Sequence, residues 1–421
     1  MKKYNLVVAG GGLTGSAAAI AAARSGLSVL LVEQANCLGG ASGTCLVNPF
    51  MPYWTIVENN GKKEKLYLCR GIFQEILHAL SQMGALGKDE ALFQEEYLKL
   101  LLNRMIQKEG IDLLFHTSII GADTNAGHVV AVTAANKSGI TKFFADYFID
   151  ATGDADLAVM CGCPFHLGRP EDSLCQPMTL CFRLANVDIE KYKKSRSQID
   201  PLYQEMQRAG KIKNIREDVL IFHSLIDGVL HFNSTRIVKR NPVDAFDVTM
   251  AEIEAREQIF ELFFFLKENI DGFQNSQLIM TAPNIGVRES RMIDGEYLLT
   301  AKDLIACTKF EDAIAAGNYD IDIHNPEGSG TSHHFFKEGT YYTIPYRSLQ
   351  PKGTDNLLVA GRCISSTHEA QASYRIMPIV CCIGEAAGTA VGVAAKNHCP
   401  VGQADIKEIQ KILRRNGAFI G

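Results

Sequence analysis

Apolar runs and glycines alternate through the first third of the chain. Residues 6–9 (Leu-Val-Val-Ala) run straight into Gly10-Gly11-Gly12, an Ala-rich stretch continues to Arg24, and Val29-Leu30-Leu31-Val32 ends on Glu33. A short continuous apolar run bounded by glycine predicts a buried strand, and the Ala-rich stretch predicts a helix. The order is strand, glycine turn, helix, strand, acid. Further on, the pattern predicts a helix over Asp89–Lys108 and a strand at Ile111–His116. Residues 129–134 and 141–148 alternate and are rich in β-branched and aromatic residues. They predict a hairpin with turns at Asn125-Ala126-Gly127 and Lys137-Ser138-Gly139. One strand runs into Ala151-Thr152-Gly153-Asp154 and another, over residues 355–360, into Gly361-Arg362. A helix of small residues follows over Met377–Lys396, with Gly384, Gly388 and Gly392 at four-residue intervals predicting close packing on the sheet and cofactor. Between these lie strands at Met178–Leu184, Gly228–Asn233, Leu278–Met280 and Thr340–Tyr346. A long helix is expected at Val243–Asn269, with Phe260, Phe263, Phe264 and Phe265 on a packed core face.

This pattern predicts an α/β protein: a discontinuous Rossmann-like dinucleotide-binding domain with a mixed α+β substrate or cap domain. The nucleotide domain is expected from residues 1–48, 90–160 and 353–397. Residues 49–89 form a small insertion or lid carrying Trp54, 161–352 the cap, and 398–421 a C-terminal tail segment.

Gly10, Gly12 and Gly15 have the G-x-G-x-x-G spacing. The first allows a tight turn, the second lets backbone approach a pyrophosphate, and the third lets helix and strand pack closely. Leu13 and Thr14 open the helix, whose free N–H groups suit phosphate. Glu33, with Gln34 beside it, suits a ribose hydroxyl. The next segment favours flavin over nicotinamide. Gly39-Gly40 permits a second close backbone approach, and Ser42 and Thr44 supply hydroxyls. A second G-x-G-x-x-G with its own strand, helix and acid is missing, which argues against a built-in nicotinamide domain.

Composition narrows the reading. The 421 residues carry a net charge of −5 with no long basic run, so nothing points to nucleic acid. No run of about 18 apolar residues suggests a membrane span, and the start of the chain reads as part of a βαβ unit rather than a signal peptide. None of the twelve cysteines form Cys-x-x-Cys. The expectation is no metal or iron–sulfur site, and reduced, mostly buried thiols in a cytoplasmic protein.

The acid-ended strand followed by Leu38-Gly39-Gly40, together with Ala151-Thr152-Gly153, resembles the two-dinucleotide-binding-domain flavoproteins. Within them the chain resembles the bacterial FAD-dependent oxidoreductase family. The likeness is carried by Gly286-Val287-Arg288-Glu289-Ser290-Arg291, Ile344-Pro345-Tyr346-Arg347, Val359-Ala360-Gly361-Arg362-Cys363-Ile364-Ser365 and His368-Glu369-Ala370. The resemblance covers nearly the whole chain and implies FAD. It implies that Thr117–Ile119, with Ile119 among the contacts, meets adenine through backbone. It also implies that Gly361, Arg362 and the helix beginning at Met377 face the flavin. Some relatives carry iron–sulfur motifs; this chain has none.

Candidates for chemistry follow from placement. His368, before the last helix, suits a proton carrier beside the flavin, against a structural role. Arg375 and Arg362 suit a carboxylate or the charge of reduced flavin. Arg288 and Arg291 take opposite faces in a strand, so at most one faces the site, and Arg288 is favoured. His333 and His334 sit in a polar loop without metal-ligand spacing. Tyr342, Tyr346 and Arg347 are pocket-lining candidates, equally readable as a half-buried strand. Cys45 is the candidate for covalent flavin attachment, against inert packing; Cys381-Cys382 reads as packing. The function expected is an FAD-dependent oxidoreductase passing a hydride between flavin N5 and a small organic substrate, carboxylated or hydroxylated. The electron acceptor and oligomeric state are open. The alternative is a flavin subunit relaying electrons in a larger complex without its own substrate.

Overall fold

The computed structural model describes residues 3–59 and 61–421. Its centre is a seven-stranded sheet. Lys3–Ala9 lies between Val29–Val32 and Gly139–Asp150, parallel to both, and Asp112–Leu114 extends the sheet beyond Val29–Val32. Leu357–Val359 adds in parallel to the far end of Gly139–Asp150, with Leu357 opposite Phe148. The near end of that long strand pairs antiparallel with His128–Asn136, which pairs in turn with Ser118–Asn125. The central strands are buried on both faces, which is why they read as unbroken apolar runs. The fold is α/β with a parallel Rossmann-like core.

Helix Leu13–Arg24 packs on this sheet against helix Met377–Asn397. The glycines of the second helix make that packing possible. A methyl group on Gly384 would lie 2.1 Å from the Thr14 carbonyl oxygen, and one on Gly388 would lie 2.1 Å from that of Ala18. Gly392 faces Ser25 in the same way. Their partner is therefore the neighbouring helix, where the sequence pattern pointed to sheet and cofactor. Helix Met377–Asn397 is apolar and long enough to span a bilayer, a feature the search for unbroken apolar runs passed over; its most apolar window is wholly buried inside the fold.

The cap has its own core around a four-stranded sheet. Phe182–Ala185 pairs with Leu230–Phe232 on one side and with Gln277–Thr281 on the other. Helices Ile189–Arg208 and Ala245–Asn269 cover one face. On the longer helix Phe263 and Phe265 are buried, whereas Phe260 and Phe264 are exposed. The expected four-phenylalanine core face is thus split: Phe260 and Phe264, four apart, share the exposed side, while Phe263 and Phe265 pack inward with Leu262 and Leu266. Phe50, Tyr53, Phe73 and Leu80 of the insertion share one core with the nucleotide domain, as do Ile314, Ala315, Tyr342, Ile344 and Leu349. The helix expected from Asp89 begins at Glu95.

One buried acid sits inside this core. Glu385 is 2% exposed, and its Oε2 accepts from the Ile72 N–H at 2.9 Å. Burial pushes its pKa up to about 7, outweighing the Ile72 hydrogen bond; Glu75 pushes it further up and Arg24 opposes. A carboxyl with a raised folded-state pKa binds more protons folded than unfolded. Its contribution is therefore lost as pH rises from about 4.5 to about 7, by roughly 3 kcal/mol at most. Glu385→Gln is expected to melt within a degree or so of wild type near pH 5 and a few degrees higher near pH 8. Parallel melting curves at both pH values would show that the carboxyl is ionised without penalty.

Candidate functional site

The glycine turn, the sheet's carboxyl edge and the cap enclose one cavity of about 520 Å³, within the range usual for cofactor and substrate sites. Gly10 is in the left-handed region at φ +95°, where glycine carries no steric cost, and its N–H donates to Val32 O. Gly39 N–H donates to Gly11 O and so ties the second glycine pair to the first. Glu33 uses both oxygens to hold this floor, Oε2 accepting from Gly11 N at 2.6 Å and Oε1 from Ala35 N at 2.7 Å.

Two helices begin in the cavity wall. Leu13–Arg24 and Met377–Asn397 both lack a side-chain cap and an acidic residue in the first turn. Their free N–H groups and positive dipole ends favour an anion there. A methyl group on Gly12 would meet nothing closer than 3.9 Å, so the glycine leaves room for something other than protein. These features fit a dinucleotide pyrophosphate at the first helix and a ring at the second.

Most of the predicted cofactor positions line this cavity: Gly10, Gly12, Leu13, Thr14, Glu33, Gln34, Gly39, Gly40, Thr44, Ile119, Ala151, Thr152, Gly153, Asp154, Gly361, Arg362 and Met377. Two do not. Gly15 packs behind the turn, where a methyl group would sit 1.8 Å from Gly10 O. Ser42 is buried, with its hydroxyl donating to Gly39 O. Arg362 Nη2 donates to Asp154 Oδ1 at 2.5 Å, and Ser290 Oγ donates to the same oxygen.

Arg288 and Arg375 line the cap side of the cavity. Arg288 Nη1 donates to Pro177 O and Thr179 Oγ1, both at 2.6 Å, and Nη2 to Asn233 Oδ1 at 3.2 Å. All three acceptors are neutral. Burial, with Arg375 and Arg216 adding repulsion and Asp322 opposing, pushes the guanidinium pKa down to about 9. Arg375 has a loose partner in Asp322, 3.5 Å away, and its Nε is buried without one. Arg291 turns away to Asp154 O and the Asp156 carboxylate.

His368, expected as a proton carrier, is not among the residues that line the cavity. It is 4% exposed, with Nδ1 2.7 Å from Glu289 Oε1. Burial lowers its pKa, but the Glu289 hydrogen bond and charge win and the net shift is upward. Glu289 Oε2 accepts from Gln176 N, the Gln176 side chain donates to Gln371, and Gln371 donates to Arg288 O. The network braces the segment carrying Arg288. His368→Ala strips the partner from a fully buried carboxylate and is expected to cost about 3–5 kcal/mol of stability. Urea unfolding measures this, and a variant as stable as wild type would remove the bracing role.

The other candidates are also elsewhere. Tyr342 OH bonds Ser373 Oγ, Tyr346 OH donates to Val401 O, and Arg347 pairs with Asp312. His333 pairs with Asp320 on an outer hairpin. Cys45 lines the cavity, and burial raises its thiol pKa and keeps it protonated. Among the described residues no cluster of His, Cys, Asp or Glu is placed to hold a metal, and all twelve cysteines are free.

Sequence reasoning missed Thr179, Cys181 and Asn233, which line the cap side. The signal was present: Thr179, Cys181 and Arg183 alternate with Leu180, Phe182 and Leu184, the period of a strand with one core face.

A parallel core with glycine turn, ribose-side acid and uncapped helix termini around one cavity defines a dinucleotide-binding flavoprotein. Residues 5–413 match the family model described as FAD dependent oxidoreductase, and the chain belongs to that family. FAD is its cofactor and it is an oxidoreductase enzyme. A search of the curated proteins finds no match. Among solved structures the chain is similar to a geranylgeranyl bacteriochlorophyll reductase-like protein from Thermoplasma acidophilum. Identity is 13% and TM-score 0.49, over 99% of this chain and 84% of that one. It is also similar to the myxobacterial chondrochloren halogenase, with 12% identity and TM-score 0.45 over 99% and 79%. A third is p-nitrophenol 4-monooxygenase from Pseudomonas putida, with 10% identity and TM-score 0.44 over 100% and 98%.

Proposed function

We propose that the enzyme exchanges a hydride between flavin N5 and a small organic substrate bearing a carboxylate. One observation carries this reading. Arg288 is buried in the cavity wall, and no carboxylate among the described residues forms an ion pair with it. Asp322 offers Arg288 only a longer-range counter-charge, shared with Arg375. A buried cation without a carboxylate in contact is costly, and an anionic ligand relieves that cost.

Bound FAD supplies the two-electron chemistry. The glycine turn, Glu33 and the two helix termini would hold its dinucleotide part. Arg288, fixed by Thr179 and Asn233, orients the substrate carboxylate; Arg375 adds a second positive charge. The cap sheet and the Val47–Met51 segment exclude water. Nothing favours the electron-relay alternative, in which a buried arginine without a contacting carboxylate in the cavity wall would have no purpose.

The test is an anaerobic titration of the flavin-loaded protein with butyrate and valerate, each against its neutral amide, followed by flavin absorbance. The acids are expected to bind at least about 10-fold more tightly than the amides. Equal binding of acid and amide refutes the anionic reading.

A further inference from the structure

In the strand Phe182–Ala185, Phe182 and Leu184 turn into the core of the cap, so Arg183 takes the other face; just before the strand, Thr179 and Cys181 reach the cavity, Cys181 also touching that core. Arg183 lies directly opposite His231 in the pairing of Phe182–Ala185 with Leu230–Phe232. His231 therefore shares that face, and so does Asn233, two residues along. Thr179, Cys181 and Asn233 line the cavity. Arg183 and His231 continue the same row one strand repeat further in.

This inner row is short of partners. Arg183 gives Nη1 and Nη2 to the Glu95 carboxylate at 2.5 and 2.7 Å, but its Nε has nothing. His231 is 2% exposed and neither ring nitrogen has a partner. Across the seam, Asn48 donates to Phe93 O, two residues before Glu95, and its Oδ1 is also bare. Val47 and Pro49, on either side of Asn48, line the cavity. Arg183 Nε, both ring nitrogens of His231 and Asn48 Oδ1 are thus buried without partners; these three residues do not themselves line the cavity, but residues one or two positions along the chain from each of them (Cys181, Asn233, Val47 and Pro49) do.

Buried polar atoms are ordinarily satisfied, and each one left bare costs about 1–3 kcal/mol. The seam is also uncharged. Glu95 cancels Arg183, and burial, with Arg183 adding repulsion, drives the His231 pKa down to about 3. A neutral imidazole offers one donor and one acceptor. An ion gains little here, and a hydroxyl or carbonyl group has every partner it needs.

We propose that this seam is a second subsite of the cavity, in which His231, Arg183 Nε and Asn48 Oδ1 receive an uncharged hydroxyl or carbonyl group of the substrate. This rests on the reading of Arg288 as carboxylate anchor. Two strand residues span roughly 6.6 Å, so the substrate class is a hydroxy or oxo acid whose polar groups are separated by about that distance. His231 then determines specificity: a site built to hydrogen-bond a hydroxyl discriminates against the analogue lacking it.

The experiment titrates the flavin-loaded protein with butyrate against gamma-hydroxybutyrate and with valerate against delta-hydroxyvalerate, following flavin absorbance. Wild type is expected to bind at least one hydroxy acid about 10-fold more tightly than its parent. His231→Phe is expected to bind both members of that pair alike. His231→Gln, which keeps a donor and an acceptor, is expected to retain the preference, so a folding defect at this position does not hide the result. Equal binding of both pairs by wild type, or a preference that survives in His231→Phe, overturns the subsite and leaves the carboxylate anchor standing; the seam then holds only water. Failure of all four acids to bind removes the anchor, and the subsite with it.

Discussion

Arg288→Met is expected to leave FAD bound and to weaken butyrate and valerate binding by about 100-fold or more. The side chain touches none of the glycine-turn residues, so the flavin spectrum and flavin stoichiometry should match wild type. A buried charge-assisted contact contributes about 1.5–3 kcal/mol, and truncating one side of such a pair costs about 2–5 kcal/mol. The protein itself need not lose stability. Methionine removes a buried cation whose hydrogen-bond partners are the neutral Pro177 O, Thr179 Oγ1 and Asn233 Oδ1, with Asp322 acting at longer range. Relief of that desolvation offsets part of the cost of the bared acceptors. Arg288→Lys restores the charge without the planar fork and is expected to recover only part of the affinity. The measurements are flavin absorbance titration and a thermal melt on the same preparation. Unchanged acid binding by Arg288→Met would place the anion elsewhere, with Arg375 the next position to replace.

The second large effect separates two glycines of one motif. Gly15→Ala is expected to destroy both the fold of the nucleotide domain and FAD binding. Its methyl group would lie 1.8 Å from Gly10 O and 3.2 Å from Ala151 Cβ, and neither backbone nor central strand can yield that far. Overpacking of this kind costs about 3 kcal/mol or more. Gly12→Ala should behave differently. Gly12 is not in the left-handed region, and its nearest neighbour would be Gly40 Cα at 3.9 Å. Without flavin it is expected to melt close to wild type, yet to bind FAD about 10-fold or more weakly, because the methyl occupies the path of the pyrophosphate. Melting of the two apoproteins, followed by FAD titration, checks both. A Gly12→Ala protein that binds FAD normally would move the pyrophosphate away from this turn.

The nucleotide half was legible because its signals are local. Strand Lys3–Ala9, the glycine spacing, Glu33 and the Ala151-Thr152-Gly153 turn each declare themselves within about a dozen residues, and helix Met377–Asn397 by its small residues. Close approach of backbone to backbone or to phosphate demands glycine whatever surrounds it. The substrate half was less legible. The strand period allowed at most one of Arg288 and Arg291 to face the site without deciding which, and Arg288 itself lies just before the strand Arg291–Ile293. His368 could not be judged, because its role depends on Glu289, 79 positions earlier in the chain. Tyr342 and Tyr346 likewise read equally as pocket or half-buried strand residues until their hydroxyls are seen bonded to Ser373 and Val401.

What the sequence alone determined is therefore the class of fold, the cofactor and the turn that holds it, since these rest on residue types that short-range sterics require. Tertiary structure decided which polar groups are already satisfied and which are left facing space. Arginines 288, 291, 362 and 375 are alike as letters. Folding gives Arg291 and Arg362 carboxylates, gives Arg375 a distant one, and leaves Arg288 among neutral acceptors. The energy of a buried charge depends on what lies within a few ångströms, and for each of these residues that neighbour comes from a distant part of the chain.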